Sequence, residues 1–184
     1  MINRSTGAVT FPFTTLGSGG GREVLTANRT YYVRANGSDS NNGLANTSGG
    51  AFLTIQKAID VVAALDLSIY DVAIRVADGT YTAAATVKAP WVGSGAVALT
   101  GNTTTPANCI ITVAAGWLTV KNGAVLNVGG FDVSCSAGNP ITATDFGTIN
   151  ITGKMRYGAS CSHPIDFRNP PATQTTSPGT QDKP

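Results

Sequence analysis

Gly123-Ala124-Val125-Leu126-Asn127-Val128-Gly129-Gly130 is answered 23 residues later by Phe146-Gly147-Thr148-Ile149-Asn150-Ile151-Thr152-Gly153. Both share an apolar-Asn-apolar centre, with Ile149 and Ile151 in the places of Leu126 and Val128. A second match, Asn139-Pro140-Ile141-Thr142-Ala143 against His163-Pro164-Ile165-Asp166-Phe167, has an offset of 24. A period above 20 residues with several short strands in each unit is the pattern of a β-solenoid. In that architecture inward residues of successive circuits stack about 4.8 Å apart, so Leu126 over Ile149 and Val128 over Ile151 form aliphatic ladders. Each such side chain contributes about 1.5 to 3 kcal/mol when fully buried. Asn127 and Asn150 alternate to the outside or stack as an amide ladder.

N-terminal to the repeat, short apolar runs occur at Val72–Val76, Thr86–Lys88, Val97–Thr100, Cys109–Val113 and Trp117–Val120, separated by turn residues. They read as strands. Ala77-Asp78-Gly79 reads as the turn that stops the first. Before them stands Tyr31-Tyr32-Val33, a strand that leaves through Asn36-Gly37 and Asn41-Asn42-Gly43, residues tolerant of left-handed backbone. Thr54 then suits a helix N-cap, and Ile55, Ala58, Ile59 and Val62 recur at helical spacing. A helix of about 12 residues is marginal alone, so its apolar stripe must cover something. The open edge of a β-stack, which otherwise invites aggregation, is the expected surface. The chain divides into an arm and Gly-rich joint (1–28), a strand-turn-helix cap (29–70), coils (71–167) and a Pro/Thr-rich tail (168–184), expected to be disordered or extended.

The chain has 184 residues, 42% of them hydrophobic, enough for one domain with a core. Only 12% are charged, against about 25% in a typical soluble domain. With a formal net charge of +2 and basic residues scattered along the chain, no stripe emerges to hold a nucleic-acid backbone. No run of about 18 apolar residues offers a membrane span, and Met1 to Leu16 lacks the features of a secretory signal. Cys109, Cys135 and Cys161 are spaced by 26 residues, longer than the repeat, so they are expected to drift apart and to be reduced small apolar residues. His163 is the single histidine and no Cys-x-x-Cys pair exists, so neither metal nor cofactor is expected.

Tyr31-Tyr32-Val33 through Gly37-Ser38-Asp39 to Phe52-Leu53-Thr54-Ile55-Gln56-Lys57-Ala58-Ile59 resembles the opening motif of the right-handed parallel β-helix, or pectin-lyase-like, superfamily, and more closely its phage tail and prophage members. Val76-Ala77-Asp78-Gly79-Thr80-Tyr81, Val92-Gly93-Ser94-Gly95 and Gly101-Asn102 are similar to its first coil and turn. The resemblance runs from about Arg22 to Asp166. It implies an all-β fold, a short right-handed parallel β-helix of about four coils and about 20 Å height with an N-terminal helical cap. For function it implies a noncatalytic structural or receptor/glycan-interaction module of a phage or prophage tail, working on the virion or outside the cell after lysis. A homo-oligomer, a trimer by that resemblance, is the expected state, with other tail proteins or surface polysaccharide as partners. The alternative it leaves open is a polysaccharide lyase or glycoside hydrolase, or a truncated remnant of one. A degraded prophage remnant without activity is a third.

Fold does not assign chemistry, so the residues must be searched for it. Cleavage of glycans on a β-helix calls for clustered carboxylates, as an acid and base pair or as calcium ligands. Glu23 is the single glutamate, and after Gly101 only Asp132, Asp145 and Asp166 precede the tail. Asp132 and Asp145 could share a face with Lys154 or Arg156, but solvated or turn carboxylates are the favoured reading, and no catalytic residue is assigned. Asp39 lies in a Gly/Ser/Asn turn that lacks the regular acidic spacing and late glutamate of an EF-hand, so turn stabilisation is preferred to calcium. His163 has no nucleophile partner by spacing. Gly17, Gly19, Gly20 and Gly21 lack the strand and helix that a nucleotide loop needs. Trp91, Trp117, Tyr81 and Tyr157 would serve as sugar-stacking platforms if exposed, although aromatics in a narrow solenoid are more often core. The glycan-contact candidates are therefore Trp117, Asp132, Asp145 and Tyr157.

Overall fold

A computed structural model describes residues 21–158, Cys161 and the backbone of Ile165–Arg168. The expectations for residues 1–20, for His163 and for the tail beyond Arg168 lie outside the described residues. In chain order the elements are β1 (Glu23–Val24), β2 (Arg29–Val33), α1 (Ile55–Ala63), β3 (Leu65–Asp66), β4 (Val72–Val76), β5 (Gly79–Tyr81), β6 (Ala85–Val87) and β7 (Val97–Thr100). They continue with β8 (Cys109–Val113), β9 (Leu118–Val120), β10 (Val125–Gly129), β11 (Phe131–Cys135), β12 (Ile141–Thr144), β13 (Thr148–Ile151), β14 (Met155–Tyr157) and β15 (Ile165–Arg168).

Every strand pairing is parallel. The first sheet has the order β13-β10-β7-β4-β2, the second β14-β11-β8-β5 and the third β15-β12-β9-β6, with β1-β3 as a separate small pair. From β4 onward the chain visits the three sheets in rotation, adding one strand to each per circuit. Among the described residues this is an all-β parallel fold with one α-helix, compatible with a β-helix. The register explains the repeat: Leu126 pairs with Ile149, Asn127 with Asn150 and Val128 with Ile151. The Pro-Ile match likewise becomes the pairing of Ile141 with Ile165.

Alternation along the strands sends one row inward. In the first sheet a single row runs Tyr31, Ile74, Leu99, Val128 and Ile151 through successive registers, the first four buried and Ile151 partly so. Leu118 and Ile141 continue a second row above Ala85 in the third sheet. Outward, the Asn150 side-chain amide donates to Asn127 Oδ1 at 3.0 Å, so the expected amide ladder forms.

The helix starts where its cap residue dictates. Thr54 has extended backbone and its Oγ1 accepts from the Lys57 N–H, while Ile55, Ala58, Ile59 and Val62 are buried. The stripe packs against β2, β4 and β6, the low-numbered side of the stack. The helix spans 9 residues and not about 12, because Leu65–Asp66 leaves it to pair with Glu23–Val24. The segment read as a joint thus contributes β1, and Leu25 just beyond is buried.

The cysteines correct the sequence reading. Cys109 is free and buried, but Cys135 and Cys161 are paired as a disulfide with their Cα atoms 5.4 Å apart, within the usual span for such a bond. The register sets Val133 against Tyr157, a spacing of 24. Cys161 therefore lies two residues beyond the position that register would set against Cys135, and its N–H donates to the Gly158 carbonyl at 3.1 Å.

Candidate functional site

The carboxylates of the described residues hold the fold together. Asp39 accepts from the backbone N–H groups of Leu53 and Thr54, both at 2.9 Å, and from Thr54 Oγ1 at 2.8 Å, fastening the turn after β2 to the helix cap. These bonds are those of a turn-stabilising carboxylate. Asp66 accepts from the Ser68 N–H and Asp71 from the Ala96 N–H, each at 2.8 Å. Asp60 accepts from Gln56 Nε2 at 2.7 Å, and the two oxygens of Asp78 accept from Asn102 and Asn108. Glu23 pairs with Arg29 at 2.7 Å, and that guanidinium holds the Glu23 carboxyl below its usual range. Among the described residues no three His, Cys, Asp or Glu side chains cluster as metal ligands would.

The four glycan-contact candidates do not form one site. Trp117 is 1% exposed and tilts against Phe131 with ring centroids 4.9 Å apart, so neither ring face meets solvent. Its position just before β9 turns it into the core, which is the usual fate of an aromatic in so narrow a stack. Tyr157 is packed on the core with its hydroxyl buried and unpartnered among the described residues, and burial pushes that hydroxyl's pKa well up. Asp132, on the outer face of β11, forms an ion pair with Arg156 of β14 at 3.2 Å. Asp145 is exposed at the turn from β12 to β13 and accepts from Thr144 Oγ1 at 3.2 Å. The expected company of Asp132 and Arg156 is thus present, while Asp145 belongs to a corner between other strands.

That corner carries the surface feature the sequence reading passed over. Three connections meet there, β6–β7, β9–β10 and β12–β13, bound by the Asn122 side chain donating to Lys88 O at 2.7 Å and the Gly123 N–H donating to Asp145 O at 2.9 Å. Two of them make the same left-handed turn: Asn122 and Gly123 have φ of 57° and 74°, Asp145 and Phe146 of 50° and 64°. Since Val125 pairs with Thr148, Phe146 stands one circuit above Gly123. Asn, Asp and Gly suit this backbone, whereas a bulky residue there is a rare outlier. Phe146 is 69% exposed.

Trp91, half-buried, donates from Nε1 to Val125 O at 2.7 Å, which fixes the indole at the start of β10. The chain at Pro90, Trp91 and residues 93–97 forms one wall of a groove of about 310 Å³, and Gly123, Val125 and Asn127 form the other. No charged residue lines it. Its size lies at the lower end of small-ligand pockets, about 300 Å³. One signal in the sequence did point here, namely Phe146 aligned with Gly123 in the two repeat units.

No protein-family model matches the chain, and no curated protein and no solved structure matches it either.

Proposed function

We propose that the chain is a short right-handed parallel β-helix acting as a noncatalytic structural or receptor/glycan-interaction module of a phage or prophage tail. The three stacked parallel sheets and the resemblance of residues 31–59 to the opening motif of that superfamily support the fold half of this reading. The observation that carries the noncatalytic half is the bonding of the carboxylates. Each one whose side chain is described caps a helix, closes a turn, bonds a neighbouring side chain or pairs with an arginine. General acid and base work requires two carboxyl groups set across one bond, with environments that push their pKa values apart.

The enzyme reading retains one observation, the Asp132–Arg156 pair on the outer face of β11 and β14. A panel of bacterial surface polysaccharides separates the two. The expected result is retention of the chain on a polysaccharide, or its detection by antibody on tails, with no reducing ends or unsaturated sugars released. Release that disappears in Asp132→Asn overturns the proposal.

A further inference from the structure

We propose that Phe146 of one copy docks in the Trp91 groove of a second copy of this chain. The inference rests on the assembly side of the reading above and gives it a contact. Phe146 breaks two local rules at once, with a left-handed φ of 64° and a ring 69% exposed to water. The fold asks for neither, since Gly123 makes the same turn one circuit earlier without strain. A strained backbone at a bulky residue points to a function, and aromatic side chains, Phe among them, are enriched at protein interfaces.

The same face supplies the receptor. The groove is walled by Trp91, Val97 and Val125 and has no charged lining residue, so it matches an uncharged ring. The groove has a volume of about 310 Å³. Val125, 45% exposed, gives the groove an apolar rim. Phe146 lies above Gly123, which itself lines the groove, so knob and hole are neighbours. Each Phe146 seated in a neighbouring copy's groove is a contact that a closed assembly of identical copies can repeat. A sugar in the groove would leave the strained Phe146 unexplained; a second copy accounts for both. One aromatic anchor with a narrow rim falls short of the roughly 1,000 Å² of a stable interface, so the pairing is weak in free solution and strengthens where copies are held together.

The test is sedimentation velocity of the full chain over a concentration series, beside Phe146→Gly and Val125→Lys. Wild type associates with rising concentration, and both variants weaken that association about 30-fold or more, the loss expected for a hot-spot residue. Phe146→Gly keeps or raises the melting temperature because it relieves the turn; a Phe146 that merely stabilised the fold would lower it. Photo-cross-linking from p-benzoylphenylalanine at position 146, in a mixture of ¹⁴N- and ¹⁵N-labelled chains, should give mixed-isotope products at Trp91 or Val125. Cross-links confined to one chain, transfer to polysaccharide alone, a wild type monomeric at millimolar concentration, or Phe146→Gly associating as wild type does, each overturns the pairing. A monomer that binds polysaccharide without cleaving it overturns the pairing alone. Cleavage overturns the noncatalytic reading whatever the sedimentation.

Discussion

Replacing Leu126 by Ala tests the register on which the whole stack depends. Leu126 is 0% exposed and faces Ile149 on the next circuit, while Val125 beside it in β10 is 45% exposed. The substitution removes buried carbons and opens a space that neighbours held in paired strands cannot readily close. Buried Leu to Ala changes cost about 2 to 5 kcal/mol, and this site with paired strands on both sides belongs around 3 kcal/mol or above. For a chain of this size each kcal/mol moves the melting temperature by about 2 to 4 °C, so the expected fall is about 6 to 12 °C. Val125→Ala should change stability by less than about 0.5 kcal/mol, as an exposed site does. Urea titrations followed by circular dichroism give both values, and Val128→Ala and Asn127→Ala extend the alternation. A slip of one residue would exchange the inner and outer rows. If Val125→Ala costs as much as Leu126→Ala, the pairing of Leu126 with Ile149 is wrong.

Asp39→Ala removes the acceptor of three hydrogen bonds and should cost about 3 kcal/mol, with Asp39→Asn retaining part of it because one oxygen remains; thermal melts of the two variants measure the difference. Burial pushes the Cys109 thiol up to about 12 from its ordinary 9.0, and the Tyr81 and Tyr157 hydroxyls also rise. Below pH 9 folded and unfolded chains both keep the Cys109 proton, and between 9 and 12 only the folded one does. Stability should therefore fall steadily across that window, and a urea midpoint that stays level or climbs from pH 8 to pH 11 contradicts it. The Cys135–Cys161 disulfide closes a 26-residue separation, worth about 3 kcal/mol by chain entropy. Cys161→Ser, or reduction, should speed proteolysis between residues 139 and 158 while leaving the α1 end protected, which timed digestion with mass spectrometry resolves.

The parts of the fold legible in the sequence are those where one residue type recurs because stacking demands it. Leu126 and Ile149, Val128 and Ile151, Ile141 and Ile165 announced their register through the 23- and 24-residue offsets. Thr54 and the stripe from Ile55 to Val62 announced the helix and its buried face. Features set by local geometry were less legible. β4 ends at Val76, where Ala77-Asp78-Gly79 predicts a stop, but Gly79 itself already opens β5, paired with Cys109. Glu23–Val24 is too short for any periodicity to show. The Cys135–Cys161 pair departs from the 24-residue offset of the strands beside it, so spacing alone cannot reveal it. For the candidate site, two tryptophans looked equivalent as residues, yet Trp117 faces Phe131 inside and Trp91 borders a groove outside. Only the register of the strands beside them separates the two.

The connections between strands differ greatly in length while the strands above and below remain aligned. Arg29 meets Val72 after 43 residues, Ala85 meets Leu118 after 33, and Thr148 meets Val125 after 23. Each strand takes its alignment from the one beneath it, so a change of length in a corner is confined to that corner and is not passed up the column. Such a body is tolerant of cargo. The β11–β12 turn at Gly138, exposed and with open space around its Cβ position, offers a place where a guest peptide would ride on the surface while the rows of apolar side chains inside kept their order.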